Sequence, residues 1–88
     1  MKLYEVTTIK IRANGEFGDE FQDFLGFDFE EAKLAKEEAL KSFSRLPNRY
    51  QKSTVVEARV YQIEDDVDVT DKDAIIDAMC DCGGYNLF

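Results

Sequence analysis

The chain has 88 residues, of which 44% are hydrophobic and 34% charged, and its formal net charge is −8. This composition allows one folded domain with a small aromatic core and excludes a disordered tail. No apolar run approaches the roughly 20 residues that span a bilayer, and the N-terminus lacks the apolar stretch of a signal peptide. We therefore expect a cytoplasmic protein. The absence of histidine removes the commonest general base and metal ligand.

Residues 3–12 are rich in β-formers and predict a first strand. Asn14-Gly15 follows and favours a hairpin with a type I′ turn, because both residues tolerate a positive φ. The next extended segment, at about 16–27, carries most of its apolar residues at odd positions, and its even positions are mostly polar or glycine. Its period of two predicts a single face that carries Phe17, Phe21, Leu25 and Phe27, and the pattern continues to Phe29. Gly18 and Gly26 indicate a bulge or bend within this strand.

Asp28 is typical of a helix N-cap, and the helix that it begins runs to about residue 44, before Pro47. The buried stripe of this helix is predicted to contain Phe29, Ala32, Ala35, Ala39 and Phe43, with Leu40 alongside. The loop at 45–52 holds the basic cluster of the chain, which comprises Arg45, Arg49 and Lys52, with Tyr50 among them. Three cations are too few for a nucleic-acid footprint on so acidic a chain, so we expect no direct nucleic-acid binding.

Residues 54–64 predict a third strand with apolar residues on both faces, which is typical of a strand covered on each side. After an acidic turn, Thr70 and Asp73 form a capping-box pattern. It begins a short helix that ends at Gly83-Gly84, and we expect the apolar tail at 85–88 to return to the sheet edge. The order β-β-α-β-α predicts a single α+β domain over residues 1–88. One main helix covers its antiparallel sheet, and a short acidic helix follows.

Nearly all of the net charge lies in residues 64–81, which we term the acidic wall. This segment has a single base, Lys72, and eight carboxylates: Glu64, Asp65, Asp66, Asp68, Asp71, Asp73, Asp77 and Asp81. On a helix, Asp73, Asp77 and Asp81 share one face at a spacing of about 6 Å, which suits the regular charges of a phosphate backbone. Like charges at this spacing weaken a helix, so their presence indicates that the charge is used.

An acidic wall repels nucleic acid and anionic membranes and attracts basic protein surfaces. We therefore expect a non-enzymatic protein-binding module that docks this wall on a basic surface of a nucleic-acid-binding partner, with Tyr61 and Tyr85 as anchors. In its size and localised acidity the chain resembles small phage-encoded inhibitors, such as anti-CRISPR proteins that mimic nucleic acid. The resemblance implies inhibition of a nucleic-acid-binding protein in the host cytoplasm.

Two other interpretations stay open. In the first, the acidity only keeps a structural or homo-oligomeric protein soluble, and assembly uses the strand edges or the tail. In the second, the segment 65–77 binds a divalent cation, with Asp66, Asp68, Thr70 and Asp77 at EF-hand positions. Asp71 occupies the position that requires glycine in such a loop, which weighs against this site.

The nucleophiles, bases and possible metal ligands in the sequence predict neither an enzyme nor a cofactor. The sequence contains no Gly-rich phosphate loop and no nucleophile with a recognisable base beside it. Cys80 and Cys82 are its only cysteines, and their spacing is not the Cys-x-x-Cys of a redox site. Two thiols without histidine do not complete a structural zinc site, so we expect reduced thiols in a reducing compartment and no metal ligands.

Overall fold

The computed structural model describes residues 1–51 and 53–88, apart from the side chains of Arg49 and Gln51. In this part of the chain, four strands form one antiparallel sheet: β1 (Lys2–Ile11), β2 (Phe17–Gly26), β3 (Thr54–Gln62) and β4 (Asn86–Leu87). The helices of the same residues are α1 (Phe29–Ser44), α2 (Asn48–Gln51) and α3 (Lys72–Asp81). The predicted small single α+β domain is confirmed.

The prediction for the tail is confirmed, whereas the basic loop differs from its prediction. The tail forms β4, which pairs with β3 at the sheet edge as expected. The loop at 45–52 contains α2, a single helical turn that the sequence did not predict. Of its basic cluster, Lys52 and the Arg49 side chain lie outside the described residues. No helix in the described part of the chain is long and apolar enough to cross a membrane.

The strand order is β2-β1-β3-β4, and β1 is paired on both sides. Helix α1 joins β2 to β3 and passes over β1, so it covers one side of the sheet, here called the α1 face. Side chains alternate along a strand. Tyr4 and Val6 therefore lie on the α1 face, and Leu3 and Glu5 lie on the opposite side, here called the α3 face.

Small side chains let α1 lie close to the sheet. Ala32 is fully buried on the helix, and Val6 and Ala58 are buried on the strands beneath. At one end the rings of Tyr4, Phe29 and Phe88 pack with centroids 5.4–5.9 Å apart. Asp28 is the N-cap, as predicted, and accepts hydrogen bonds from two backbone N–H groups of the first turn.

The expected burial of Phe29 in the helix stripe and of Leu40 alongside it is wrong. Phe29 is 45% exposed, although its ring packs against Tyr4 and Phe88. Leu40 is exposed, whereas Ala39 next to it is half-buried. One residue along a helix corresponds to a rotation of about 100°, which carries Leu40 away from the sheet. The layer between α1 and the sheet is accordingly built from alanines and Phe43 rather than from leucines.

The apolar residues of β2 do not share one face, which corrects the prediction from their spacing. The register of β2 against β1 shifts twice, at Val6/Thr7 and at Ile9/Ile11. Each shift adds one residue to β2 and reverses the face of the residues beyond it. Phe17 and Leu25 therefore lie on the α3 face, opposite Ile11 and Glu5, whereas Phe21 pairs with Thr8 on the α1 face.

The hairpin between β1 and β2 forms at Asn14-Gly15, but its turn is not type I′. Of these two residues only Gly15 has a positive φ, of 85°, and a type I′ turn needs two such residues. The Gly15 N–H donates to the Arg12 carbonyl at 2.9 Å, and the Arg12 N–H donates to the Glu16 carbonyl at 2.8 Å. This is a three-residue loop with glycine in its left-handed position.

The α3 face carries a second core at the end of the sheet near the chain start. Leu3 on β1 and Tyr61 on β3 lie opposite each other and are buried with Ile63 and with Ile75 of α3. Because α1 covers the other face of the same strands, β3 is covered on both sides, as its apolar pattern predicted. Helix α3 covers this end of the face and displays the acidic wall.

Candidate functional site

The acidic wall begins in the turn after β3 and continues along α3. Its helix starts one residue later than the capping-box pattern predicted. Asp71, not Thr70, is the N-cap, and its carboxylate accepts from the N–H groups of Asp73 and Ala74. Thr70 instead donates its N–H and its hydroxyl to Asp68, at 2.9 and 2.6 Å. Thr70 and Asp71 are neighbours, and the side chain of either can accept hydrogen bonds from the first turn of a helix. The sequence pattern assigned the N-cap to Thr70, whereas in the structure it is Asp71.

Three carboxylates of the acidic wall therefore have local structural roles. Asp71 caps α3, and Asp68 holds the turn before it. The hydrogen bonds from the hydroxyl and the N–H of Thr70 lower the pKa of Asp68. Asp65 lies 2.6 Å from the amino group of Met1, and this hydrogen bond, with the charge of the amine, lowers the pKa of Asp65.

The other five carboxylates are exposed and have no local role. No hydrogen bond or ion pair within residues 1–51 and 53–88 involves the side chains of Glu64, Asp66, Asp73, Asp77 and Asp81. Four of these five line one groove of about 350 Å³ between the turn and α3: Glu64, Asp66, Asp77 and Asp81. Its remaining lining includes Val67, Ala74 and Ala78. The structure thus brings together carboxylates that the sequence placed in two separate elements.

The divalent-cation interpretation finds no ligand set. No group of three or more carboxylates or thiols in the described part of the chain is arranged to hold a metal ion. Asp68, one of the residues at EF-hand positions, is hydrogen-bonded to Thr70 instead. Both cysteines are free; Cys80 is exposed, and the half-buried Cys82 thiol donates to the Gly84 carbonyl at 2.7 Å.

A second charged group, which the sequence reasoning missed, lies on the α3 face. We term it the Arg59 cluster: Arg59 with Glu5, Glu20 and Glu57. The Arg59 guanidinium is 3.2 Å from Glu5, 3.0 Å from Glu20 and 2.7 Å from Glu57. Glu5 is only 6% exposed and also accepts from Gln22 at 2.8 Å. One guanidinium thus serves three carboxylates that come from three different strands.

The alternation of faces along β1 already indicated this cluster in the sequence. In β1, Glu5 falls on the same face as Leu3 and Ile9, both of which are buried. A charged residue at a core-facing position requires a partner, because burying an unpaired charge is costly. The partner itself was not predictable without the β1–β3 register, which places Arg59 directly opposite Glu5.

The cluster changes the pKa of Arg59 and that of the neighbouring Tyr61. Burial disfavours the charged form of Arg59, but the hydrogen bond to Glu57 and the charges of Glu57 and Glu20 outweigh burial and raise the pKa of Arg59. Burial, assisted by the negative charge of Glu5, raises the pKa of Tyr61 above the ordinary value of a phenol. Both groups keep their neutral-pH charge states in the fold.

The two tyrosines expected to anchor a partner have different surroundings. Tyr61 is 8% exposed and donates its hydroxyl to Glu5 at 3.2 Å, so its expected role as a surface anchor is wrong. It sits on the core-facing side of β3. Tyr85 is 47% exposed, with its ring 5.6 Å from that of Tyr61 and the Arg59 guanidinium 4.9 Å above it. Tyr85 is thus a surface ring held in one orientation.

Comparison of the chain with protein-family models, with curated proteins and with solved structures gives no match. The geometry of the acidic wall and of the Arg59 cluster is therefore what indicates a function for this chain.

Proposed function

We propose that this protein is a small, non-enzymatic binding module that docks its acidic wall on a basic surface of a partner protein. The partner surface is of the kind that otherwise holds nucleic acid, and the wall takes the place of the phosphates. The mode of action is inhibition by nucleic-acid mimicry, as in anti-CRISPR-like phage proteins. The free thiols of Cys80 and Cys82 suit a reducing compartment, so we place the interaction in the cytoplasm.

The observation that carries the proposal is the set of five exposed carboxylates with no partner in the described part of the chain. Outside the acidic wall, acids that also have no side-chain partner in the described residues, such as Glu30 and Glu37, lie on α1 among the lysines of that helix, so they do not form a concentration of one charge sign. Asp73, Asp77 and Asp81 lie in one row on α3, and two of them share a groove with the turn residues Glu64 and Asp66. Such a concentration of one charge sign attracts a basic partner and speeds its association. This attraction becomes stronger as the ionic strength falls.

Charge provides the encounter, and an apolar contact is needed to slow dissociation. Tyr85 follows α3 by four residues, and its ring packs against the Arg59 guanidinium and the Tyr61 ring. A ring that is already oriented loses little conformational freedom on binding. We therefore assign it the anchoring role at the edge of the acidic wall.

The test begins with affinity capture of the partner from the cells that make this protein. Two matched variants are then compared for the rate of association: Asp73→Lys with Asp77→Lys, and Glu30→Lys with Glu37→Lys. Each pair has one exposed residue in the first turn of a helix and one four or seven residues on, and both variants change the net charge equally. We expect the α3 variant to associate at least tenfold more slowly, with the α1 variant close to wild type.

Competition completes the test, because single- or double-stranded nucleic acid should displace the protein from its partner. Equal association rates for the two variants, or binding that nucleic acid does not affect, would refute the proposal. The acidic wall would then be a solubility feature.

A second candidate function is self-assembly through β2. The outer edge of this strand is unpaired in the described structure, and its Phe17 and Phe21 are 63% and 51% exposed. An open strand edge with exposed rings is a template for pairing with another chain. Sedimentation velocity at several concentrations tests this candidate: a single monomeric species throughout would eliminate it.

A further inference from the structure

Helix α3 separates two grooves of different character. On one side lies the groove rimmed by Glu64, Asp66, Asp77 and Asp81. On the other side a groove of about 440 Å³ runs between α3 and the sheet. We term it the Glu5 groove, because Glu5 lines it together with Gln22, Leu25, Ile76 and Met79, and with Lys72.

The Arg59 cluster, whose Glu5 lines the groove, is not balanced in charge. Glu5 is nearly buried, and it shares the single guanidinium of Arg59 with Glu20 and Glu57, which leaves an excess of negative charge. This excess favours a further donor that carries positive charge.

The walls of the groove are apolar. Leu25 on β2 and Met79 on α3 are half-buried, and Ile76 is 54% exposed. A lysine or arginine side chain combines an apolar stem with a cationic head, and it gains most where the stem covers apolar surface and the head reaches an acceptor. The groove offers these two environments in that order, from the rim to Glu5.

We infer that the Glu5 groove receives a long cationic side chain, lysine or arginine, from the same basic partner that docks on the acidic wall. The stem lies along Leu25, Ile76 and Met79, and the charged head approaches Glu5. The partner thereby contacts α3 from both sides. This inference rests on the proposed function, since it assigns a second contact to the same partner.

Lys72 lies at this groove as a like charge, so its removal should strengthen the contact. A comparison site exists on the other face, where a groove of about 450 Å³ beneath α1 is lined by Lys10, Asp23 and Glu38. Both acids of that groove are exposed, unlike Glu5. We expect no cationic side chain to be held there.

The test uses two peptide probes of equal charge, hexalysine and the hexamer of 2,4-diaminobutyrate, whose side chains are two methylenes shorter. Both are titrated into the full chain by NMR at a pH where all their amines are charged. Both should shift the backbone amides of Asp73, Asp77 and Asp81. Only hexalysine should shift the methyl groups of Leu25, Ile76 and Met79, while the groove beneath α1 stays unchanged.

The outcomes separate the two proposals. Amide shifts on α3 without methyl shifts in the Glu5 groove, or equal methyl shifts with both peptides, would overturn the inference and leave the proposed function standing. The absence of shifts at Asp73, Asp77 and Asp81 with either peptide would contradict the proposed function itself.

Matched variants extend the test without disturbing the fold. Ile76→Ser alters the groove, and Val69→Ser alters an aliphatic side chain of similar exposure, 49%, outside it. Ile76→Ser should weaken hexalysine binding about fourfold, the effect of roughly one methylene removed from contact, and Val69→Ser should not. Lys72→Gln should strengthen binding and enlarge the methyl shifts. Equal affinities for wild type and Ile76→Ser would overturn the inference.

Discussion

The Arg59 cluster and the acidic wall both contain carboxylates, but those of the cluster are paired with Arg59 and those of the wall are exposed. In the Arg59 cluster, Glu5 and Glu57 are largely buried and share one guanidinium at hydrogen-bonding distance. In the acidic wall, Asp77 and Asp81 are exposed and have no partner in the described structure. A paired, desolvated carboxylate is held by the fold and cannot be altered cheaply. An exposed, unpaired one is free to meet another molecule.

The two regions also differ in what their charges do to stability. Removing one partner of a buried ion pair leaves an uncompensated charge, so substitutions in the Arg59 cluster should strongly destabilise the fold. The aspartate row of α3 lowers helix stability through repulsion between residues four apart. A protein that keeps such a row has gained something other than stability, as is common at functional sites. The Arg59 cluster therefore stabilises the fold, with its Glu5 also lining the Glu5 groove, whereas the unpaired carboxylates of the acidic wall are left for interaction with a partner.

The largest effect is expected when the Arg59 cluster is broken. Arg59→Met should reduce the free energy of unfolding by about 3–5 kcal/mol, because Glu5 and Glu57 would be left buried without a counter-charge. Asp77→Asn, in the acidic wall, should change it by less than about 0.5 kcal/mol. Urea unfolding followed by circular dichroism measures both. Similar values for the two variants would remove the distinction between the regions.

A smaller loss is expected at Tyr61, which joins the Arg59 cluster to the core. Tyr61→Phe removes a hydrogen bond to a buried carboxylate and should cost about 1.5–3 kcal/mol at neutral pH. Because the pKa of Tyr61 is raised in the fold, its neutral form is favoured there. This contribution is complete below the ordinary phenol pKa of about 10 and is lost as pH rises through the folded-state value.

Wild type should therefore lose stability in alkaline solution more steeply than Tyr61→Phe. Parallel pH profiles for the two proteins, measured by urea unfolding across this range, would contradict the assigned burial of the phenol.

A charge reversal in the acidic wall should increase the free energy of unfolding. Asp77→Lys replaces two repulsive pairs, with Asp73 and Asp81, by attractive ones and should raise the free energy of unfolding by about 0.5–1 kcal/mol. Glu37→Lys on α1 is the matched control with the opposite sign, since its neighbours four residues away are Lys33 and Lys41. Thermal unfolding at low salt measures both changes. A destabilised Asp77→Lys would show that this carboxylate is engaged within the fold.

The smallest effect concerns Asp68, an acidic-wall residue with a local role. Asp68→Asn should lower stability slightly at neutral pH, because the carboxylate accepts two hydrogen bonds from Thr70. Its pKa is lowered in the fold, so its contribution is complete above the ordinary aspartate pKa of about 4. It is lost as pH falls through the lower folded-state value. Wild type and variant should thus converge in strong acid, and a constant difference at every pH would contradict the assignment.

Much of the fold followed from local patterns. The Asp28 cap, the alanine stripe of α1 and the two apolar faces of β3 were each readable from a few neighbouring residues. The errors arose where two local signals competed. Thr70 and Asp71 were both good caps, and only the backbone geometry selected Asp71. The face of Phe21 was wrong because a bulge, which is invisible to a period-two count, reverses every residue beyond it.

By itself the sequence determined where charge accumulates, since eight carboxylates within residues 64–81 are a property of composition and order. It also determined that α3 carries aspartates four apart, because helical spacing is local. Only the tertiary structure decided which acids are neutralised. Glu5 and Arg59 are 54 residues apart in the chain and meet through the β1–β3 register. Pairing across strands depends on long-range register, which no local pattern contains, and so the division between held and free carboxylates emerged only with the fold.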